Sequence, residues 1–151
     1  MIEISFDDFD CGCIMIYFIY NGQEIRRCDF SLSVDEFTTI TNFLEECIKQ
    51  THSETVLGEE ALSTKLVFDK LNDEDKAILT FTYEDNSSPF QISVETKQFV
   101  AEFYKKTLAV LKKELDNFSG KTHYYCQDPV KDYNDCNSTL IEKFIRSNFE
   151  F

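Results

Sequence analysis

The sequence is poor in the residues that divide a chain into parts: four Gly and two Pro in 151 positions. No Pro/Gly/Ser-rich stretch interrupts it, and its length suits one hydrophobic core better than two. One domain is expected over 1–151, with a strand-hairpin-helix part at 1–60, a second strands-and-helix part at 61–119 and a helical tail at 120–151. Long apolar runs are missing too. The longest, Cys13 to Tyr20, is far shorter than the roughly 20 residues of a membrane-crossing helix. The opening MIEISFDD lacks the basic lead and small-residue cleavage site of a secretory signal. A cytoplasmic protein that contacts no membrane is expected.

Groups that do chemistry are equally sparse. Only two histidines are present, His52 and His123. The patterns G-x-x-x-x-G-K-[ST], G-x-G-x-x-G and G-x-S-x-G are absent, so neither a phosphate cradle nor a nucleophile elbow is supported. Cys11-Gly12-Cys13 has C-x-C spacing without the paired C-x-x-C or H-x₃-H of a zinc site, and Cys13 is expected to pack as a small apolar residue. Asp7 to Gly12 fails the calcium-loop pattern in both registers. His123, Cys126 and Asp128 crowd together, but catalytic groups normally converge from distant parts of a chain, and no helix start is expected there to lower the thiol pKa. No catalytic, cofactor-binding or metal-ligating residue is assigned. The six cysteines at 11, 13, 28, 47, 126 and 136 are expected as free thiols in a reducing compartment. The sequons at Asn86, Asn117 and Asn137 would then go unused.

What the chain has is aromatic residues and negative charge. Fifteen Phe, seven Tyr and 42% hydrophobic residues are too much apolar material for a disordered acidic chain. The net charge is −13, and it is unevenly placed. Residues 1–60 carry thirteen Asp and Glu against Arg26, Arg27 and Lys49, a net of −10. Such a field repels nucleic acid and anionic lipid and attracts basic partners. The carboxylates at strand ends, on the hairpin and in loops are the candidate partner-binding residues: Asp7, Asp8, Asp10, Glu24, Asp29, Glu54, Glu59 and Glu60.

Periodicity gives the elements. Ile2 to Phe6 alternates as a strand, and Cys13 to Tyr20, apolar at nearly every position, reads as a central strand covered on both faces. Asn21-Gly22 supplies a type I′ hairpin turn into Gln23 to Phe30. Ser33-x-x-Glu36 forms a capping box for a helix over about 34–50. Thr51 to Glu60 shows no sustained period and is expected as a solvated loop. Strands follow at Ser63–Asp69, Ala77–Tyr83 and Pro89–Glu95, then a helix over about 96–118 with Thr96 as N-cap and Gly120 as stop. Leu140, Ile141, Phe144, Ile145 and Phe149 share a face of a short terminal helix behind Asn137 or Ser138. Phe18-Ile-Tyr20 with Phe30 to Val34 echoes Phe81-Thr-Tyr83 with Phe90 to Val94, a strand-strand-helix pseudo-repeat. The expected class is α+β: an antiparallel sheet of about six strands with two long helices on one face and a short C-terminal helix.

In size, charge, Phe/Tyr-rich helices after hairpins and lack of catalytic motifs, the chain resembles bacterial immunity proteins of contact-dependent growth inhibition and other polymorphic-toxin systems. That resemblance implies a non-catalytic protein that neutralises a cognate toxin, commonly a basic nuclease domain, by tight binding. The alternative is an intracellular scaffold or assembly protein that makes contact through a sheet edge or its terminal Phe cluster.

Overall fold

The computed structural model describes residues 1–7, 13–31, 36–58, 63–72, 75–83, 89–117 and 129–149. They form strands β1 (Ile2–Phe6), β2 (Cys13–Tyr20) and β3 (Gln23–Ser31), helix α1 (Glu36–Lys49), and strands β4 (His52–Leu57), β5 (Thr64–Lys70), β6 (Lys76–Tyr83) and β7 (Phe90–Glu95). Helices α2 (Thr96–Asn117), α3 (Pro129–Cys136) and α4 (Thr139–Phe149) complete them. The fold is α+β, but the single sheet of about six strands is corrected. The strands form two antiparallel meanders, β1-β2-β3 and β4-β5-β6-β7.

The extra strand is β4, in the segment expected as a loop. It pairs with β5 along its whole length, from His52↔Asp69 to Leu57↔Thr64. Its inward side holds the small polar Ser53 and only one large apolar residue, Leu57, both buried. Backbone pairing and the packing of α1 beside it make it a strand, and hydrophobic alternation could not reveal that.

Strand β2 is corrected in another respect. Ile14, Ile16 and Phe18 are buried, whereas Met15, Tyr17 and Ile19 on the opposite face are only half-buried. One face of the strand is covered by the core. The hairpin after it turns as expected, with Asn21 at φ 52° and Gly22 at φ 81°, the positive pair that a type I′ turn needs. A bulge follows: Phe18 opposes Arg26 and Ile19 opposes Glu24, leaving Ile25 unopposed.

The long helices are not stacked together on one face of one sheet. Phe99 of α2 stacks on Phe68 of β5 at 5.7 Å between ring centroids and meets Phe43 of α1 edge-on at 6.4 Å. One turn on, Phe103 meets Phe99, and it also reaches Phe18 of β2 at 5.7 Å. Phe18 in turn meets Phe81 of β6 at 5.1 Å. This chain of rings ties both sheets and both long helices into one core, and each edge-to-face pair adds about 0.5–1.5 kcal/mol beyond its buried area. Thr96 opens α2 without capping it: its hydroxyl is buried and unpartnered.

The C-terminal tail holds two helices. Pro129 stands first in α3, where its missing N–H costs nothing. Ser138 caps α4, its hydroxyl accepting the Ile141 N–H at 3.2 Å and donating to Glu45 of α1 at 2.6 Å. The Ser138 N–H donates to the Tyr104 hydroxyl of α2 at 2.9 Å. Ile141 is buried, and Phe144 and Ile145 pack against the core beside it, so the apolar face of the terminal helix is used in docking.

Candidate partner-binding face

Because directly opposed residues of antiparallel strands point to the same side, the register of the first sheet defines its outer face. Met15, Tyr17 and Ile19 run down the middle. On β1 the facing residues are Glu3 opposite Ile19 and Ser5 opposite Tyr17, and beyond the strand end the Asp7 N–H donates to the Met15 carbonyl at 3.0 Å. On β3 they are Glu24 opposite Ile19, Arg27 opposite Tyr17 and Asp29 opposite Met15. An apolar column one residue wide thus lies between two rows of carboxylates. None of its three residues belongs to the core cluster or to the side chains packed against it.

The column is anchored across all three strands at its centre. The Tyr17 hydroxyl donates to Oδ2 of Asp7 at 2.7 Å. The Arg27 guanidinium lies 5.3 Å from the centre of the Tyr17 ring and forks onto the Glu24 carboxylate, with Nη2 at 2.9 Å from Oε2. The bond to Asp7 is the main cause that holds the Tyr17 hydroxyl above the ordinary tyrosine range, since ionisation would set two negative charges side by side. Asp29 is half-buried, and its Oδ1 is shielded without a hydrogen-bond partner. Four carboxylates, Glu3, Asp7, Glu24 and Asp29, face one cation, Arg27, leaving the face at a net −3.

Of the eight candidate carboxylates, the structure brings Asp7, Glu24 and Asp29 together here. Asp8, Asp10, Glu59 and Glu60 lie outside the described residues. Glu54 is placed elsewhere, on the outer face of the second sheet. There it approaches His52 Nε2 at 3.3 Å and Lys65 Nζ at 3.6 Å, while His52 Nδ1 meets Asp69 on the neighbouring strand. Both ring nitrogens of His52 therefore face carboxylates, so the imidazolium is favoured. Its pKa is raised, first by the bond to Asp69 and then by that to Glu54. Glu3, Arg27 and the column Met15, Tyr17 and Ile19 were missed in the sequence. The strict alternation of Ile2 and Ile4 with Glu3 carried the signal for Glu3, and an eight-residue apolar run carried the signal for a strand with apolar side chains to spare.

Among the described residues, the other cysteines and the cations of the main cleft are occupied or enclosed. Cys28, Cys47 and Cys136 are free and buried, and burial pushes the thiols of Cys28 and Cys47 far above their usual range, which makes them inert. Cys11, His123, Cys126 and Asp128 lie outside the described residues. Among the described residues no group of three or more His, Cys, Asp or Glu is arranged to hold a metal ion, and no helix is long and apolar enough to cross a membrane. An open cleft of about 570 Å³ lined by Thr51, Lys70, Asp75, Thr96 and Lys97 has its cations committed: Lys70 Nζ donates to the Ile48 carbonyl at 2.9 Å, and Lys97 Nζ lies 3.2 Å from Asp75.

No family model matches this sequence, and no curated protein does. Among solved structures the chain is similar to a plant transcriptional regulator, PBF-2, at 18% identity over 81% of this chain and 87% of that one, with a TM-score of 0.31. An overlap so loose leaves function to be read from the residues themselves.

Proposed function

We propose that this chain is a non-catalytic binding protein whose outer face on the first sheet takes a basic protein partner, and that the partner is a toxin domain, as in the immunity proteins it resembles. One observation supports this above the others: Glu3, Asp7, Glu24 and Asp29 share a face with half-exposed apolar side chains that the core does not use. Charge spread for solubility alone needs no apolar column beside it. A nuclease toxin carries a basic groove for phosphate, and an acidic face can occupy that groove in place of nucleic acid. Phe144 and Ile145 of the terminal helix pack against the core, which leaves the scaffold alternative less of that face for contact.

The test is protection. Cells producing the protein encoded beside this chain should survive when the chain is co-expressed, and the two should co-purify. Replacing Glu3 and Glu24 by Lys should abolish both effects while the melting temperature stays the same, since exposed carboxylates contribute little to stability. Survival without complex formation, or full protection by the Lys variant, overturns the proposal.

A further inference from the structure

The shape of the face says more about its partner than its charge does. The column Met15, Tyr17, Ile19 takes alternate positions of one strand, so its ends are about 13 Å apart, and neighbouring strands put carboxylates about 4.8 Å to either side. An apolar stripe one residue wide with charge along both flanks is the negative image of an amphipathic helix: about nine helical residues span 13 Å, with apolar side chains at i, i+4 and i+8 and charged ones on each side. A second copy of this chain is disfavoured, because pairing the face with itself would bring two surfaces of net −3 together. The same sign opposes nucleic acid and anionic lipid. A partner strand could pair only at a sheet edge, where backbone groups are unpaired, and the column is on a face.

Resting on the binding function proposed above, we infer that the outer face of the first sheet receives a basic amphipathic helix of the partner, laid along β2 with its apolar stripe on Met15, Tyr17 and Ile19 and its Lys/Arg flanks over Glu3 and Asp7 on one side and Glu24 and Asp29 on the other. Tyr17 is fixed in advance by Asp7 and Arg27, so little side-chain freedom is lost when the helix docks.

Methionine gives a direct reporter, because the chain has only Met1 and Met15. Met1 is 74% exposed and stands in the same row as Glu3, at the end of the face, so it reports on the rim while Met15 reports on the column. The full chain, labelled with ¹³C at the methionine methyls, is titrated with an amidated leucine-lysine peptide of about 18 residues patterned as an amphipathic helix, long enough to be helical. A scrambled peptide of the same composition and a leucine-glutamate version are titrated in parallel. The Met15 signal should shift to saturation with the amphipathic peptide. The scrambled peptide should bind at least tenfold more weakly, and Ile19→Thr should cost roughly tenfold, the loss expected for one buried apolar side chain. Equal binding of the ordered and scrambled peptides, with Met15 unmoved, overturns the helix inference and leaves the acidic-face proposal standing. Equal binding of the glutamate peptide, or no binding of either lysine peptide at low salt, overturns both.

Discussion

The two sheets are built alike on the inside and differ on the outside. Each is an antiparallel meander whose inner face joins the same chain of Phe rings. On the outer face of the second sheet, Glu54 and Asp69 meet Lys65 and His52, and Lys76 stands opposite Glu95, among the apolar Val56, Val67 and Ile78 and the polar Thr80, Thr82 and Gln91, whose amide donates to the Thr80 hydroxyl at 3.1 Å. Acidic and basic residues are nearly balanced there. On the first sheet four carboxylates stand against one arginine, which pairs with Glu24, and frame an apolar column. Interior packing sets stability in both halves, while the unbalanced exterior of one half is the part that the proposed function assigns to a partner.

The largest effect should come from the shared interior. Phe103→Ala removes a fully buried ring that touches both Phe18 and Phe99, and should cost roughly 3–5 kcal/mol in chemical denaturation. If it melts like the parent, the sheets do not share a core and the comparison fails. A smaller loss is expected at Ser138→Ala, which removes the cap of α4 and the bond to Glu45. About 1–2 kcal/mol is expected, with little change in any binding at the first sheet.

The smallest effect marks the balanced exterior. The His52 NMR titration should have its midpoint above 6.5, and Asp69→Asn should lower it more than Glu54→Gln. Because the folded value is raised, the His52 contribution to stability is complete below the unfolded pKa of 6.5 and fades as pH rises through the folded one. The side chain is 55% exposed, so that fading should be slight. A midpoint at or below 6.5 would mean that the imidazolium is not paired and that the second sheet is less balanced than described.

Much of the fold was legible because it depends on local pattern. The bounds of β1 and β2, the Asn21-Gly22 turn and the two long helices come from alternation, positive-φ residues and helical spacing. Strand β4 was hidden because Ser53 and Thr55 carry no hydrophobic signal, and only pairing with β5 reveals it. The division into two sheets was equally hidden, because it depends on which strands pair after α1, a long-range choice that no local pattern encodes. At the candidate site the charges of Asp7, Glu24 and Asp29 could be read, but their union with Met15, Tyr17 and Ile19 needed the register. Strand β2 is informative: a run apolar at nearly every position predicts cover on both faces, but Met15, Tyr17 and Ile19 are only half-buried, so the second face departs from what the core requires.

The most direct test compares two variants with the same change in net charge at different places. Glu3→Lys with Glu24→Lys alters the first sheet, and Glu54→Lys with Glu95→Lys alters the second; all four side chains are exposed. Association and dissociation rates with the neighbouring gene product should be measured by stopped flow from low to physiological salt. Steering acts mainly on the association rate and is local to about a Debye length, roughly 8–10 Å near physiological salt and about 30 Å at 0.01 M. The first pair should slow association throughout the series and flatten its salt dependence, with dissociation changing less, while the second pair should slow it only at low salt and stay near the parent at physiological salt. Equal slowing by both pairs at physiological salt, or slowing by the second alone, would contradict the assignment of binding to the first sheet.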